Sequence, residues 1–429
     1  MPEFLLATPE LTGADLASAQ ASLARLRGVP ALAARYEGVA FGSLADLAAV
    51  PVLTKDDLQV ALAHLRPRAA QGATWVFQSG GSTGSPQLGY APTGLYMAEV
   101  FAHWQPLGRD DVFVNGWGAG KLWGAHFLVN AYVDHAGCVA MNVGTMGRDE
   151  YDSWLAFFAA RRVTAYGGTP SVLRLLFGHA RRSGAKLPDL RTVLFLGEAW
   201  DPQLDEDLAA VAPHARRWGM FGSTETWVIA TNTPDCPADV WHPLPSQLVC
   251  VGDDEMLDFT SLNPEVLNPV LRYRTGDAGQ VVACTCRRPG RALRVLGRRD
   301  NLILFRDFLL NVDDFVADLN ARPGVARSQL VITESPDGHS VMQVRLLADG
   351  PAGGPAGGPA GRAAGSGRGA DPHLAARVRE HLLGSAFGPS IVFQGHPDSV
   401  EVTVVDSLIG NDRTGKIPNL VRLARPDAK

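Results

Sequence analysis

The chain predicts an α/β protein, with a large N-terminal domain of mainly parallel sheets plus a β subdomain, and a small α+β C-terminal domain. Three observations carry this. Between residues 112 and 230, short apolar runs alternate with helical stretches, as in a parallel sheet covered by helices. From 248 to 305 the strands crowd together and helical periodicity disappears. After a boundary near Asp300, helices and strands mix again. The expected domains are therefore 1–299, with the β subdomain at about 240–299, and 300–429.

In order, Gly13 to Arg27 has the Leu/Ala periodicity of a helix, and Ser43 to Leu58 contains a second helical stretch. Thr54 can cap a following helix, with Asp57 completing a capping box. Thr74 to Phe77 reads as a buried strand and Leu88-Gly89-Tyr90 as a second one. Val112 to Val114, Cys138 to Val143, Val163 to Tyr166 and Thr192 to Leu196 read as strands, with helices over Tyr151 to Arg161 and Pro170 to Arg182. Cys138, in an apolar run, reads as core. Arg272 to Asp277 is expected to end a strand, and Leu296 to Asn301 to link two others. In the tail, Asp313 caps a helix running to Ala321, Gln329 to Thr333 and Val341 to Leu347 are strands, Leu374 to Leu383 is a helix, and Val402 to Leu408 is a strand. Residues 351–370 repeat Pro-Ala-Gly-Gly with almost no apolar bulk, and a disordered surface loop is expected there.

The most telling stretch is Gly80-Gly81-Ser82-Thr83-Gly84-Ser85-Pro86, between the strands at 74–77 and 88–90. Its glycines let the backbone bend, and consecutive N–H groups with neighbouring hydroxyls make a concave nest for an anion. Three rivals stand beside that phosphate-gripping reading. A plain glycine turn fits the loop alone. Gly80 to Gly84 matches the G-x-S-x-G nucleophile elbow, but that motif passes from strand into helix, and Pro86 followed by a strand does not. A Walker loop requires a lysine after its last glycine, and Ser85 stands there.

Composition narrows the class. At 429 residues, 46% apolar and 19% charged, the chain can bury a substantial core. A net charge of −5 argues against a nucleic-acid partner. No apolar run approaches a membrane span, and Met1-Pro2-Glu3-Phe4 lacks the basic start of a signal peptide. An odd five cysteines argues against a disulfide framework, so a cytoplasmic monomer or homodimer is expected.

Taken in order, Pro51 to Leu58, the loop 80–86, Gly168-Thr169-Pro170-Ser171, Gly197-Glu198-Ala199-Trp200, Phe221-Gly222-Ser223-Thr224-Glu225, Arg272 to Asp277, Gly297-Arg298-Arg299-Asp300 and Thr414-Gly415-Lys416 resemble the adenylate-forming superfamily. The closest match is to its phenylacetate–CoA ligase branch. The resemblance spans nearly the whole chain and implies a ligase that joins a small carboxylic acid to AMP at the expense of ATP, releasing pyrophosphate. It implies that the loop cradles the β- and γ-phosphates. Phe221 would face adenine, flanked by Gly197, Glu198 and Ala199. Glu225 would bind Mg²⁺, and Asp277 with Arg298 would hold the ribose. Lys416, on a mobile C-terminal domain hinged at Asp300, would swing to the loop and stabilise the charge of the transition state. The local alternatives are Phe221 as core, Glu225 as a helix-start carboxylate and Asp277 as a turn residue.

The acid would lie near Trp117, Lys121, Trp123, His126 and Gly168, whose aromatics favour an aryl acid; an ordinary core would look the same. The acceptor is CoA by family majority, or an amine or a carrier. Asp307 stands where relatives keep a glycine beside the pantetheine channel, which favours a nitrogen nucleophile. The resemblance also implies zinc in some members, and Cys236, His242, Cys284 and Cys286 are ligands of the right type. Unrelated surface cysteines are the alternative. A serine hydrolase using Ser82 and a non-catalytic relative complete the rivals.

Overall fold

In the computed structural model the described residues are 2–7, 10–78, 87–120, 122–200, 202–298, 302–306, 308–334, 340–348, 373–384, 389–409 and 419–423. The loop 80–86, Lys121, Asp300, Asp307, the repeat 351–370 and Lys416 lie outside them. The chain divides into two units, with Met1–Ser79 and Gln87–Arg299 in the larger and Asp300–Lys429 in the smaller.

The larger unit is built on a 12-stranded sheet. One half is parallel, in the spatial order Val139–Asn142, Val112–Asn115, Ala165–Gly168, Thr192–Leu196, Arg216–Ser223. Trp227–Asn232 then pairs antiparallel with Arg216–Ser223. The sheet continues antiparallel through Val240–Pro243, Arg291–Arg298, Tyr273–Ala283, Met256–Ser261, Gln247–Val251 and Glu3–Leu5. The inner strands Val112–Asn115, Ala165–Gly168 and Thr192–Leu196 are almost wholly buried because both faces of the sheet are covered. Successive residues fall into different cores: Val114, Tyr166, Val193 and Phe195 join one cluster, whereas Phe113, Ala165 and Leu194 join another. Side chains alternate across a strand, so the two clusters occupy opposite faces of the sheet.

The helices follow their sequence signals. Gly13–Arg27 and Lys55–Leu65 both begin with complete capping boxes, Thr12 with Asp15 and Thr54 with Asp57. Pro170–Ser183 starts on proline, whose missing N–H costs nothing at that position, and ends at Gly184, in the left-handed region with φ of 76°. No helix among the described residues is long and apolar enough to cross a membrane.

Some expectations need correction. Arg272 to Asp277 opens a strand, Tyr273–Ala283, instead of ending one. Gly276 has φ of 93°, which a turn reading anticipates, but it sits in the strand ahead of a register shift at Ala278/Gly279. Leu296 to Arg298 belong to Arg291–Arg298 and do not form a link. The strand after Cys138 is the exposed edge of the sheet, with Val139 57% accessible, and Cys138 is half-buried beside it. An apolar run is buried only if something flanks it, and among the described residues nothing pairs with the outer side of this strand.

In the smaller unit, Val325–Glu334 and Ser340–Ala348 pair antiparallel, with Val400–Val404 and Leu420–Leu423 added in parallel on the outer sides. The strand expected at 402–408 thus starts and ends earlier. Helix Val312–Asn320 begins one residue before Asp313, which therefore sits in the first turn, not at the cap. The hairpin Leu302–Phe305 with Phe308–Asn311 and the helix Pro389–Gly395 escaped the sequence reading. Phe315, Leu319, Val344 and Phe393 centre this unit's own core.

Candidate active site

The first strand of the parallel half, Val112–Asn115, is flanked by the second on one side and the third on the other. The order in which successive strands are added therefore reverses at Val112–Asn115, and ligands of such sheets bind at the crevice between its end and Gly167, beyond the carboxyl ends of the strands. There the Gly116 N–H donates to the Gly167 carbonyl at 2.8 Å. A Cβ at residue 167 would lie 2.3 Å from the Trp117 ring, so glycine is what lets that ring lie against the strand end. Trp117 is buried, and its indole N–H finds no partner among the described residues.

His126, buried on the helix Ala125–Ala136, is locked to the same corner. Its Nδ1 lies 2.7 Å from the Trp117 carbonyl, an acceptor, so Nδ1 carries a proton. Asn115, fully buried, donates to the His126 carbonyl and to Asn130, and accepts from the Trp117 N–H. Trp123 is half-buried nearby: its ring lies 3.6 Å from where a Cβ on Gly118 would be. Trp117, Trp123, His126 and Gly168 thus gather around one switch point. Phe127, missed from sequence, joins Trp75 and Phe77 in an aromatic cluster with ring centroids 5.6 and 5.7 Å away.

The next two strand ends carry the other loops. Gly197, with φ of 90°, turns the chain after Thr192–Leu196, and a Cβ there would face the Thr169 methyl at 3.8 Å. Glu198 and Ala199 follow it. Phe221, half-buried in Arg216–Ser223, lies 5.7 Å from Trp241 and 6.1 Å from Phe259. Gly222 admits no side chain, because the Trp227 carbonyl would be 1.8 Å from its Cβ. Residues 224–226 are a turn joining two antiparallel strands, so Glu225 is not a helix-start carboxylate. The Ser223 hydroxyl lies 3.0 Å from that of Thr226 and caps the turn.

Glu225 is buried, 5% accessible. Its carbonyl accepts from Asn268 Nδ2 at 2.7 Å, while Asn268 Oδ1 accepts from the Tyr90 N–H at 3.0 Å. Asn268 thereby fastens the Glu225 turn to the strand Leu88–Pro92. The same two pieces touch at Gly89, where a Cβ would meet the Thr224 carbonyl at 2.1 Å. Gln59 accepts from the Leu88 N–H and donates to its carbonyl, which anchors this strand on the helix Lys55–Leu65. Gln78 pairs with Leu88, so the hairpin that flanks residues 80–86 is pinned beside Glu225.

In the antiparallel half, Asp277 and Arg298 stand directly opposite each other in register. Asp277 accepts from the Thr275 hydroxyl at 2.6 Å. The segment 51–58 docks on the same strand: Leu53 exchanges backbone hydrogen bonds with Arg272 and Arg274. Those two arginines converge on fully buried Asp258, at 3.0 Å from Arg272 and 2.7 Å from Arg274.

Cys236, His242, Cys284 and Cys286 place their ligand atoms within 4.8 Å of one another. His242 Nε2 is 3.1 Å from Cys286 Sγ. The N–H of Cys286 points at Cys284 Sγ, and that of Arg288 at Cys286 Sγ. Burial pushes the Cys236 thiol up, but hydrogen bonds from His242 and Thr233 outweigh it and hold the thiol below its ordinary range. Burial pushes the Cys284 thiol up, and proton-sharing with its neighbours adds to this. Such a set fits a tetrahedral zinc, whose bonds of about 2.0–2.3 Å bring ligands within roughly 4 Å of each other.

A family model described as AMP-binding enzyme matches residues 20–261. No curated protein sequence matches the chain. Among solved structures, a 2-hydroxyisobutyryl-CoA ligase in complex with 2-HIB-AMP and CoA is similar, with a TM-score of 0.69 at 17% identity over 95% of this chain and 89% of that one. An o-succinylbenzoate CoA synthetase from Bacillus subtilis has a TM-score of 0.54 at 15% identity, over 82% and 69% of the two chains. A malonyl-CoA ligase with methylmalonyl-CoA and AMP bound has 0.51 at 17%, over 78% and 71%. At these identities the likeness is one of fold.

Proposed function

Because the chain belongs to the AMP-binding enzyme family, we propose that it converts a small carboxylic acid and ATP to an acyl-adenylate and pyrophosphate, then passes the acyl group to the thiol of CoA. The observation that carries the reading is the placement of three loops, 167–170, 197–199 and 221–225, on consecutive parallel strand ends, with the last ending at buried Glu225.

In the first step a carboxylate oxygen bonds to the α-phosphorus and the bond to the bridging oxygen of pyrophosphate breaks. In the second the thiol sulfur bonds to the acyl carbon, AMP leaves, and the thiol proton goes to solvent. The backbone N–H groups and hydroxyls of Gly80, Gly81, Ser82, Thr83 and Gly84 bind the phosphates, Phe221 faces the adenine beside Gly197, Glu198 and Ala199, and Asp277 with Arg298 takes the ribose diol. Lys416 supplies positive charge where negative charge gathers in the transition state. Glu225 would hold Mg²⁺, which would supply positive charge against the phosphates. The wall of Trp117, Trp123, His126 and Phe127 at the switch point supports a flat or compact apolar acid, as in a phenylacetate–CoA ligase-like enzyme. Zinc on Cys236, His242, Cys284 and Cys286 is structural. Five free cysteines support a reducing compartment, the cytoplasm.

The test is ATP–pyrophosphate exchange over a panel of aryl and short-chain acids, repeated with Lys416→Ala. One acid class should support exchange, and the substitution should slow it by roughly 10²-fold or more. CoA and amines added separately then identify the acceptor. No exchange with any acid, or labelling of Ser82 by a fluorophosphonate, overturns the reading.

A further inference from the structure

The metal cluster has a neighbour that the ligand pattern does not account for. Arg288 follows the Cys284-Thr285-Cys286 turn by two residues and is half-buried. Its backbone N–H points at Cys286 Sγ, 3.4 Å away. Its guanidinium turns inward, donating to the His103 carbonyl at 3.0 Å, to the Thr231 hydroxyl at 3.0 Å and to the Thr231 carbonyl at 3.4 Å. His103 is the last residue of the helix Met97–His103, where a cation meets the negative end of the helix dipole. Thr231 stands directly opposite the ligand His242 in the ladder between Trp227–Asn232 and Val240–Pro243. Among the described residues its partners are these carbonyl and hydroxyl oxygens, and none is a carboxylate.

Charge balance gives this arrangement a purpose. Three thiolates and a neutral imidazole around Zn²⁺ leave one net negative charge in a partly buried place, which is costly without a counter-charge. Resting on the zinc reading above, we infer that Arg288 is the counter-ion and orienting bracket of that metal site. Its backbone steadies the Cys286 sulfur, its positive charge offsets the tris-thiolate complex, and its fork ties the metal turn to the helix 97–103 and to the strand opposite His242. It is a positioning residue, since it reaches no ligand position itself.

Zinc affinity of the full-length chain, read by competition with a chromophoric chelator, tests this. The wild type should hold about one zinc per chain. Arg288→Met, which keeps the stem and loses the charge, should bind zinc roughly 10-fold more weakly, the scale of an outer-shell partner. Arg288→Lys should recover part of that loss, more at low salt than at high salt. Arg287→Ala, an exposed neighbour, should leave affinity unchanged. Thermal unfolding closes the argument: Arg288→Met should cost less stability in a chain that also carries Cys284→Ser and Cys286→Ser than in the wild type. Equal cost in both backgrounds, or a zinc-loaded Arg288→Met with affinity within about twofold of wild type, overturns the inference and leaves the zinc site standing. A wild type that takes up no zinc overturns both.

Discussion

The antiparallel half of the large sheet holds two clusters of ionisable side chains that solve the same problem differently. Asp258 is fully buried, and two arginines from the neighbouring strand region close on it. Arg272 also donates to the carbonyls of Ala48 and Val50, which holds the N-terminal segment to the sheet, while its Nε finds no partner among the described residues. The cluster of Cys236, His242, Cys284 and Cys286 gathers three thiols around one imidazole, with the Arg288 N–H on Cys286 and the Arg217 guanidinium on the Cys236 carbonyl. In the first, a carboxylate is paired with two guanidinium groups. In the second, four groups of metal-ligand type come within 4.8 Å of one another, which is the pattern that the proposed zinc site rests on.

That contrast can be broken by experiment. The largest effect is expected at the first cluster. Asp258→Ala strands Arg272, whose side chain is only 12% accessible, and should cost about 3–5 kcal/mol in urea unfolding. A loss below about 1 kcal/mol would make the cluster equivalent to a surface pair. Metal removal should come next. A chelator should lower the unfolding midpoint of the wild type by an amount corresponding to about 2.7 kcal/mol where metal stands 100-fold above its dissociation constant, and leave Asp258→Ala just as sensitive. A chelator without effect would reduce the second cluster to ordinary cysteines. The smallest effect concerns how the N-terminal segment docks beside Asp258. Thr54→Ala removes a cap and should cost about 1 kcal/mol at pH 7. Burial pushes the Asp57 carboxyl up, but Thr54 and then Arg35 hold it below its ordinary range, so this stabilisation is present above about pH 4 and is lost as pH falls through the depressed value. The penalty for Thr54→Ala should therefore shrink at pH 3, and a pH-independent penalty would remove Asp57 from the explanation.

The two clusters also mark how far sequence carries. The cysteines and histidine were legible because their chemistry is distinctive, whatever their separation along the chain. Asp258 was not, since its partners lie 14 and 16 residues away on another strand and any of the three could have been solvated. Asn268 was missed for the same reason: a single asparagine in Leu267-Asn268-Pro269 has no pattern, yet it fastens Glu225 to the hairpin. Four of the five parallel strands were legible as short apolar runs, whereas Arg216–Ser223, which opens on two arginines, was not. The edge of this half was misread, since residue type alone cannot report a missing neighbour. The opposition of Asp277 and Arg298 depended on register, which a bulge at Ala278/Gly279 resets.

The glycine at 167 has a practical consequence for testing the acid site proposed at this crevice. Space at the crevice is occupied by an indole that any added methyl at 167 would strike, and the equivalent positions at 89 and 222 face main-chain oxygen that cannot step aside. Libraries that randomise these glycines should return unfolded protein. Useful diversity lies in trimming the ring at 117 and its neighbours 123 and 127, where a smaller side chain opens volume without asking the backbone to move.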